Sequence, residues 1–249
     1  MSSDAVPETV ADAAAPGRRR LPPPPVLGRR AAAWARDYAW IVAAQAGGAL
    51  RPTDPASLAQ GDGAPVVLLP GIYERWGVLG ALARALHGAG HPVHTVPGLG
   101  RNAGALAWST DQVVHRVLEL DLTGVVLVAH SKGGLIGKMA MADPRVADRI
   151  AGLVAVNTPF GGSVYARWFP AAAVRALAPQ DPHVVALGAV DEVNPRIVSV
   201  SAPFDPHVPA GHGLDGAHLV RLPVDGHFRV LGDARVHRVV LDAVARLSA

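Results

Sequence analysis

The stretch that decides the fold is Val125–Gly134, which reads Val-Val-Leu-Val-Ala-His-Ser-Lys-Gly-Gly. Five consecutive apolar residues predict a fully buried strand, and the glycines that follow predict a tight turn into a helix. Ser131 stands on the turn itself. A buried strand that runs directly into a sharp turn and a helix presents the side chain of the turn above the edge of a sheet. The stretch therefore predicts a central strand with a serine hydroxyl above its end.

The residues two positions away from Ser131 are small, as such a turn requires. Ala129 and Gly133 allow the strand and the helix to approach each other closely. The N-terminus of the helix then directs its dipole and the amide of Lys132 toward negative charge that forms at the serine. Serine is also a favoured helix N-cap, but a cap does not demand small residues on both sides. The pattern therefore favours a nucleophile.

Outward from this stretch, short apolar runs alternate with segments of helical periodicity. This alternation is typical of a parallel sheet with helices on both faces and predicts an α/β fold. Gly, Pro or Asp follows each run and marks a turn. The predicted strands are Val66–Leu69, Val93–Val96, Val125–Ala129, Leu153–Val156, Ile197–Ser201 and Leu219–Leu222, and the predicted helices lie near Val78–Leu86, Val113–Leu120, Leu135–Ala142 and Val236–Leu247.

In this context, the motif Ala129–Gly133 resembles the nucleophile elbow of the α/β-hydrolase superfamily. Among its members it is similar to small bacterial lipases, some of which also have alanine in place of the first glycine. The resemblance covers residues 60–247 and implies a mostly parallel twisted sheet with helices on both faces and minimal or no cap domain. It also implies a lipase or esterase that cleaves carboxylic esters through an acyl-enzyme and needs no cofactor.

In this superfamily the acid and the histidine of a triad follow the serine in the chain, each at the carboxyl end of a strand. The sequence Asp-Pro-His-Val occurs twice, from Asp181 and from Asp205. We favour Asp205 because a predicted strand precedes it, whereas Asp181 lies in a helical region rich in Ala and Pro. Among eleven histidines, His227 alone stands between the last predicted strand and the closing helix. We therefore expect a triad of Ser131, His227 and Asp205.

The resemblance also implies an oxyanion hole built from two backbone amides. The family has His-Gly after an early strand, followed by a donor residue, so Ile72 is expected to supply one amide and Lys132 the other. Pro70 stands in place of the family's histidine, a departure that affects positioning more than chemistry. We interpret His130 as a side chain that packs in the turn. The side chain of Lys132 is not expected to act as the base, because adjacent residues at a helix start point in different directions.

The substrate is expected to lie near the segment Asn157–Ser163, which resembles the Thr-Pro segment beside the site of many lipases. Tyr73, Trp76 and Phe160 are the expected substrate contacts, although core packing explains any one of these aromatic residues equally well. The segment between residues 160 and 195 is long enough for one or two helices but too short for a full cap domain. The sequence therefore predicts an open, apolar site.

Composition divides the chain into three parts. Residues 1–30, rich in Pro, Arg and Ala, are expected to form a disordered tail, residues 31–60 a helical lead-in and residues 61–249 the hydrolase domain. The tail holds five arginines and three acidic residues, so only +1 of the formal net charge of +3 belongs to the rest of the chain. Without a basic stripe that alternates with aromatic residues, no nucleic-acid partner is expected.

The segment Tyr38–Leu50 is the most apolar early stretch, but it is too short to span a bilayer. We interpret it as a packing helix, with weak peripheral membrane contact through residues 18–50 as the alternative. The start of the chain lacks the pattern of a signal peptide, so a cytoplasmic location is expected. The absence of cysteine excludes a thiolate zinc site, and His207, His212 and His218 match no common zinc spacing. No metal is therefore expected.

The expected partner is a small-molecule or lipid ester, and two other functions remain open. A thioesterase or acyltransferase would use the same triad, because fold and triad do not fix the acyl group. A catalytically idle hydrolase fold could instead bind partners through the arginine-bearing tail. The presence of all three triad residue types at the expected junctions favours an enzyme.

Overall fold

A parallel six-stranded sheet forms the centre of the computed structural model, which describes residues 24–50, 52–208 and 213–249. The strands are β1 (Val66–Leu69), β2 (Val93–Thr95), β3 (Val125–His130), β4 (Ile150–Val156), β5 (Ile197–Ser201) and β6 (His218–Arg221). Their order across the sheet is β2-β1-β3-β4-β5-β6, and all neighbours run parallel. Because parallel neighbours need crossover connections, helices cover the faces of such a sheet.

Helices lie on both faces of the sheet. They are α1 (Pro24–Leu50), α2 (Gly80–Gly88), α3 (Leu106–Glu119), α4 (Lys132–Met141), α5 (Ala172–Arg175), α6 (Pro182–Gly188) and α7 (Ala234–Leu247). The apolar side chains of α3, α4 and α6 are buried in one hydrophobic cluster, and those of α1, α2 and α7 in a second. In β1, Val67 and Leu69 belong to the first cluster, and Val66 and Leu68 belong to the second. This alternation follows from the two-residue period of a strand.

The six predicted strands are all present, and the predicted fold class is confirmed. The largest difference is in β4, which begins at Ile150 and not at Leu153. The four predicted helical segments correspond to α2, α3, α4 and α7. Between β4 and β5 the chain forms only the short helices α5 and α6 with single turns of 3₁₀ helix, so the cap is minimal, as the sequence predicts.

The first described helix, α1, begins inside the segment expected to be a disordered tail. It starts at Pro24, so residues 24–30 are helical. Proline is tolerated in the first turn of a helix because its missing N–H would have no partner there. Residues 1–23 of the predicted tail lie outside the described residues.

Helix α1 packs on the rest of the domain. Ile41 and Asp37 are buried, whereas Trp34 and Val42 are exposed. This arrangement agrees with the interpretation of residues 38–50 as a packing helix. Within the residues that the structure describes, no helix is both long enough and apolar enough to cross a bilayer.

Candidate active site

Ser131 lies on the turn between β3 and α4 in a backbone conformation that residues other than glycine rarely adopt. Its φ is 51° and its ψ is −121°, and its N–H donates to the carbonyl of Val156 at 2.9 Å. A Cβ on Gly133 would collide with the carbonyl of Leu69, so only glycine lets α4 approach the sheet here. Backbone strain of this kind clusters at functional sites, where the surrounding structure fixes it.

The structure brings the three predicted triad residues into one hydrogen-bonded chain. The hydroxyl of Ser131 donates to Nε2 of His227 at 2.9 Å, and Nδ1–H of His227 donates to Oδ2 of Asp205 at 2.6 Å. These partners leave Nε2 as the accepting nitrogen of a neutral imidazole. The three residues are only 6%, 4% and 5% exposed. The arrangement allows the imidazole to take the serine proton while the carboxylate fixes its tautomer.

Backbone amides hold the carboxylate of Asp205. Its Oδ1 accepts from the N–H of His207 at 2.7 Å and from that of the following residue at 3.2 Å, while Oδ2 faces His227. Asp181, the acid of the twin motif, is the N-cap of α6 and accepts from the N–H of His183 at 3.0 Å. The structure thus places Asp205 beside the histidine and uses Asp181 as a helix cap.

Helix α1 holds the backbone of the His227 loop, which comprises residues 223–229. The carboxylate of Asp37 has no exposed surface and accepts from the N–H groups of His227 at 3.0 Å, Phe228 at 2.8 Å and Arg229 at 2.9 Å. Converging N–H groups form a cradle for an anion. Sequence reasoning missed Asp37, because one acidic residue in an early helix carries no signal of a partner 190 residues away.

Asn157 ties the His227 loop to the ends of two strands. It follows β4 with a φ of 49°. Its Nδ2 donates to the carbonyls of Gly226 at 2.9 Å and His227 at 3.0 Å, and its Oδ1 accepts from the N–H of Ala202 at 2.9 Å. The sequence placed this segment beside the substrate, but the contacts of Asn157 are to the backbone that positions His227.

His130 makes two hydrogen bonds across the site, so the interpretation that it only packs in the turn is wrong. Its Nδ1–H donates to Oε2 of Glu74 at 3.0 Å, and Oε1 lies 2.9 Å from the same nitrogen. Its Nε2–H donates to the carbonyl of His227 at 2.9 Å. Both His130 and Glu74 are buried. Glu74 was missed because its partner lies on a distant strand.

The loop of residues 70–74, which we call the oxyanion loop, lies against the start of α4. The carbonyl of Pro70 accepts from Nδ2 of Asn102 at 2.7 Å, and the N–H of Gly71 donates to Oε2 of Glu74 at 2.7 Å. Within the described residues, the N–H groups of Ile72 and Lys132 donate to no acceptor. Neither of the two amides predicted to form the oxyanion hole is therefore engaged by a backbone carbonyl.

Solved structures share this architecture at low sequence identity. They include a mature Bacillus licheniformis lipase, with a TM-score of 0.59, 14% identity and coverage of 75% of this chain and 92% of the lipase. An extracellular α/β-hydrolase from a Paenibacillus species has a TM-score of 0.54 and 17% identity, over 74% of this chain and 98% of its own. The enol-lactonase of Burkholderia xenovorans has a TM-score of 0.52 and 17% identity, over 74% and 92% respectively.

The chain has the α/β-hydrolase fold. This finding confirms the resemblance inferred from the elbow motif at the level of the fold. No family model and no curated protein sequence matches the chain. The assignment therefore depends on the three-dimensional arrangement of the elements.

In this hydrolase fold the side chain of Lys132 stabilises a neighbouring loop and does not face Ser131. Its Nζ donates to the carbonyls of Asn102 at 2.9 Å and Gly104 at 2.6 Å. Burial lowers the pKa of Lys132 to about 8. The ammonium holds residues 102–104 beside the oxyanion loop, which leaves the backbone N–H of Lys132 as its contribution to the predicted site.

His207 lies against the imidazole of His227, with ring centroids 4.8 Å apart. Burial and the neighbouring His227 lower the pKa of His207 to about 4, so it is neutral at physiological pH. Its Nε2 accepts from the hydroxyl of Tyr38 in α1 at 3.1 Å. The predicted triad therefore has a neutral, polar neighbour that comes from the acid loop and is held by the first helix. His212 of the histidine group considered in the sequence lies outside the described residues.

The three predicted substrate contacts occupy different environments. Tyr73 is 36% exposed on the oxyanion loop with a φ of 59°, and Trp76 is half-buried. Phe160 is only 5% exposed and belongs to the hydrophobic core under α4. Of the three, Phe160 therefore has the weakest claim to a place at the rim of the site.

The expectation of an open site is wrong, because Ser131 and His227 are buried. The segment after β4 and the loop after β5 meet at this edge of the sheet, where the hydroxyl of Ser163 donates to the carbonyl of His207 at 2.7 Å. A cleft of about 1090 Å³ opens beside the oxyanion loop and not directly over the serine. Its lining includes Trp40, Pro70, Arg75, Trp76, Arg84 and Leu99.

Proposed function

We propose that this protein is a serine hydrolase that cleaves carboxylic esters through an acyl-enzyme on Ser131. The observation that supports this most directly is the buried chain of hydrogen bonds from Ser131 through His227 to Asp205, with bonds of 2.9 Å and 2.6 Å. A hydroxyl is a weak nucleophile until an adjacent base accepts its proton. The accepting Nε2 lies within the distance that such a transfer requires.

In the first half of the proposed reaction, His227 removes the proton of Ser131 as the hydroxyl oxygen attacks the ester carbonyl. The carbonyl oxygen becomes negatively charged and accepts from the N–H groups of Ile72 and Lys132. Preorganised donors of this kind stabilise the transition state, and loss of one costs about 10²–10³ in kcat. The imidazolium then donates its proton to the leaving alcohol, which departs and leaves the acyl group on the serine.

In the second half, His227 removes a proton from water, and the resulting hydroxide attacks the acyl-enzyme. The tetrahedral intermediate collapses, the carboxylic acid leaves, and the proton returns to Ser131. Asp205 stays ionised throughout and holds Nδ1–H toward itself, so that Nε2 faces the reacting groups. The ester and one water molecule enter, and the alcohol and the carboxylic acid leave, so these steps balance.

A neutral carboxylic ester is the substrate class that we propose. The side chains beside the triad include the neutral His207 and the apolar Phe228 and Val208. One structural neighbour is described as a lipase and another as an enol-lactonase, both of which act on carboxylic esters by their names. Cleavage of thioesters by the same triad would instead assign the protein as a thioesterase.

A panel of nitrophenyl esters and coenzyme A thioesters tests the proposal. Wild type should cleave the esters, and Ser131→Ala should lose activity by several orders of magnitude, as in triads whose members are removed singly. Ser57→Ala, at an exposed serine, is the matched control and should retain full activity. Rapid thioester cleavage without ester cleavage would support the thioesterase alternative, and equal activity of Ser131→Ala and wild type would reject the proposal.

A further inference from the structure

A second histidine–carboxylate pair, Glu74 and His130, lies beside the triad and takes no part in the steps above. Both side chains are at least 98% buried. One ring nitrogen of His130 faces the carboxylate at 2.9 Å, and the other faces the carbonyl oxygen of His227 at 2.9 Å. A carboxylate and a backbone carbonyl only accept hydrogen bonds, so with Glu74 ionised both ring nitrogens of His130 carry a proton. The contacts therefore select the imidazolium form of His130.

The electrostatic environment agrees with this protonation state. Burial alone would lower the pKa of His130, but the charge of Glu74, its hydrogen bond, the carbonyl of His227 and the charge of Asp205 raise it, and the net shift of the pKa is upward. An imidazolium that carries a carboxylate on one side and a carbonyl on the other satisfies the condition that a buried charge be paired and hydrogen-bonded.

The pair connects the two halves of the proposed site. On one side, Oε2 of Glu74 accepts from the N–H of Gly71 at 2.7 Å, next to the proposed oxyanion donor Ile72. A Cβ on Gly71 would lie 3.0 Å from the carboxylate, so glycine allows this close approach. On the other side, His130 holds the carbonyl of His227. An unbroken chain of hydrogen bonds thus runs from the oxyanion loop to the backbone of the base.

We propose that the buried Glu74–His130 ion pair is a positioning device that fixes the oxyanion loop and His227 relative to each other, with His130 permanently charged. This role rests on the proposed function of Ser131 and His227. Catalysis needs the oxyanion donors and the base at fixed distances from one carbonyl, and a displacement of 1 Å can cost about 10²-fold in rate. The charged bridge joins the oxyanion loop to His227 and so fixes the distance between them directly.

The charge of His130 also lies close to the base. The titratable groups around it are Glu74 from the oxyanion loop, His227 from the loop after β6, and Asp205 and His207 from the loop after β5. The ring of His130 lies 4.8 Å from that of His227, whereas Glu74 lies on the far side of His130. The positive charge of His130 therefore lies nearer to the base than the negative charge of Glu74 does.

The substitution Glu74→Gln separates charge from geometry. Its amide oxygen can still accept from Gly71, and its NH₂ group can donate to Nδ1 of a neutral His130, whose Nε2–H still reaches His227. The ¹⁵N shifts of the imidazoles should show two protonated nitrogens on His130 in wild type from pH 6 to 8, and one in Glu74→Gln. A neutral His130 in wild type would overturn the proposal without reference to any substrate.

Activity provides the second readout. In Glu74→Gln, which keeps the bridge without its charge, kcat should stay close to the wild-type value. In Glu74→Ala, which breaks the bridge, kcat should fall about 100-fold with KM changed far less. Glu119→Gln, which removes a carboxylate from an exposed ion pair with Arg116, is the control and should match wild type. A purely structural role would lower the stability of Glu74→Ala but leave kcat of the folded variant at the wild-type value.

Labelling of Ser131 by a fluorophosphonate keeps this test separate from that of the substrate. If wild type reacts with the probe but cleaves no ester, the proposed substrate class fails while the positioning role is still measured by the labelling rate. If Glu74→Ala labels at the wild-type rate, the positioning role is rejected, whatever the substrate.

Discussion

Replacement of Asp37 by alanine should both destabilise the protein and slow it, although the residue lies in a helix outside the region of the elbow motif. Asp37 is fully buried and accepts three N–H groups at 2.8–3.0 Å, all from the His227 loop. A buried donor left without an acceptor costs about 1–3 kcal/mol. Water can accept from some of the three N–H groups in the variant. The loss of all three acceptor contacts should therefore lower the free energy of unfolding by about 3 kcal/mol or more.

Urea unfolding and steady-state kinetics on the same preparations measure the two effects of Asp37→Ala. The urea concentration at the midpoint of unfolding should fall, while the slope of the unfolding free energy against urea concentration should stay unchanged. Under conditions where the variant is folded, kcat should fall about 100-fold, because His227 loses its fixed position. Asp242→Ala, at an exposed acid of α7, is the matched control and should stay within about 0.5 kcal/mol of wild type. An Asp37→Ala protein with the stability and kcat of the control would refute the role assigned to α1.

Three further substitutions test the site and its support. Asp205→Asn should cripple ester turnover by presenting the wrong tautomer of the base, with Asp181→Asn nearly unaffected in the same assay. Burial lowers the pKa of Lys132 to about 8 from its ordinary value of 10.5. Between these two pH values the unfolded chain binds more protons than the folded chain, so the free energy of unfolding should rise with pH, by at most about 3 kcal/mol. Urea unfolding at pH 7 and pH 10.5 measures this rise, which Lys132→Met should abolish. Gly133→Ala should disrupt the elbow and abolish turnover, whereas Gly88→Ala, where a Cβ meets nothing within 4 Å, should leave turnover unchanged and melting temperature equal or higher.

The sheet and the elbow could be predicted because their signals are local. A run such as Val125–Ala129 is buried on both faces of a parallel sheet, and its apolar character alone predicts a strand. The turn at Ser131 needs small residues at fixed positions, which are visible in six letters of sequence. The rule that triad residues stand at the carboxyl ends of strands then led to Asp205 and His227, and the structure places both within hydrogen-bonding reach.

The support around the site could not be predicted, because it depends on contacts between distant segments. Glu74 and His130 are 56 residues apart, and Asp37 and His227 are 190 apart. Neither Glu74 nor Asp37 lies in a sequence motif. Each role requires only a carboxylate at one point in space, and many different sequences can place one there. The burial of Ser131 was missed for the same reason: it depends on how the segments after β4 and β5 pack together, and their lengths alone do not determine this.

The central claim is that Ser131 is the nucleophile activated by His227. The most direct measurement is active-site titration with a nitrophenyl phosphonate, followed by mass spectrometry of the digested protein. Wild type should release a stoichiometric burst of nitrophenol and carry the adduct on the peptide that contains Ser131, and His227→Ala should react orders of magnitude more slowly. An adduct on any other residue, or a burst of the same rate in His227→Ala, would contradict the claim.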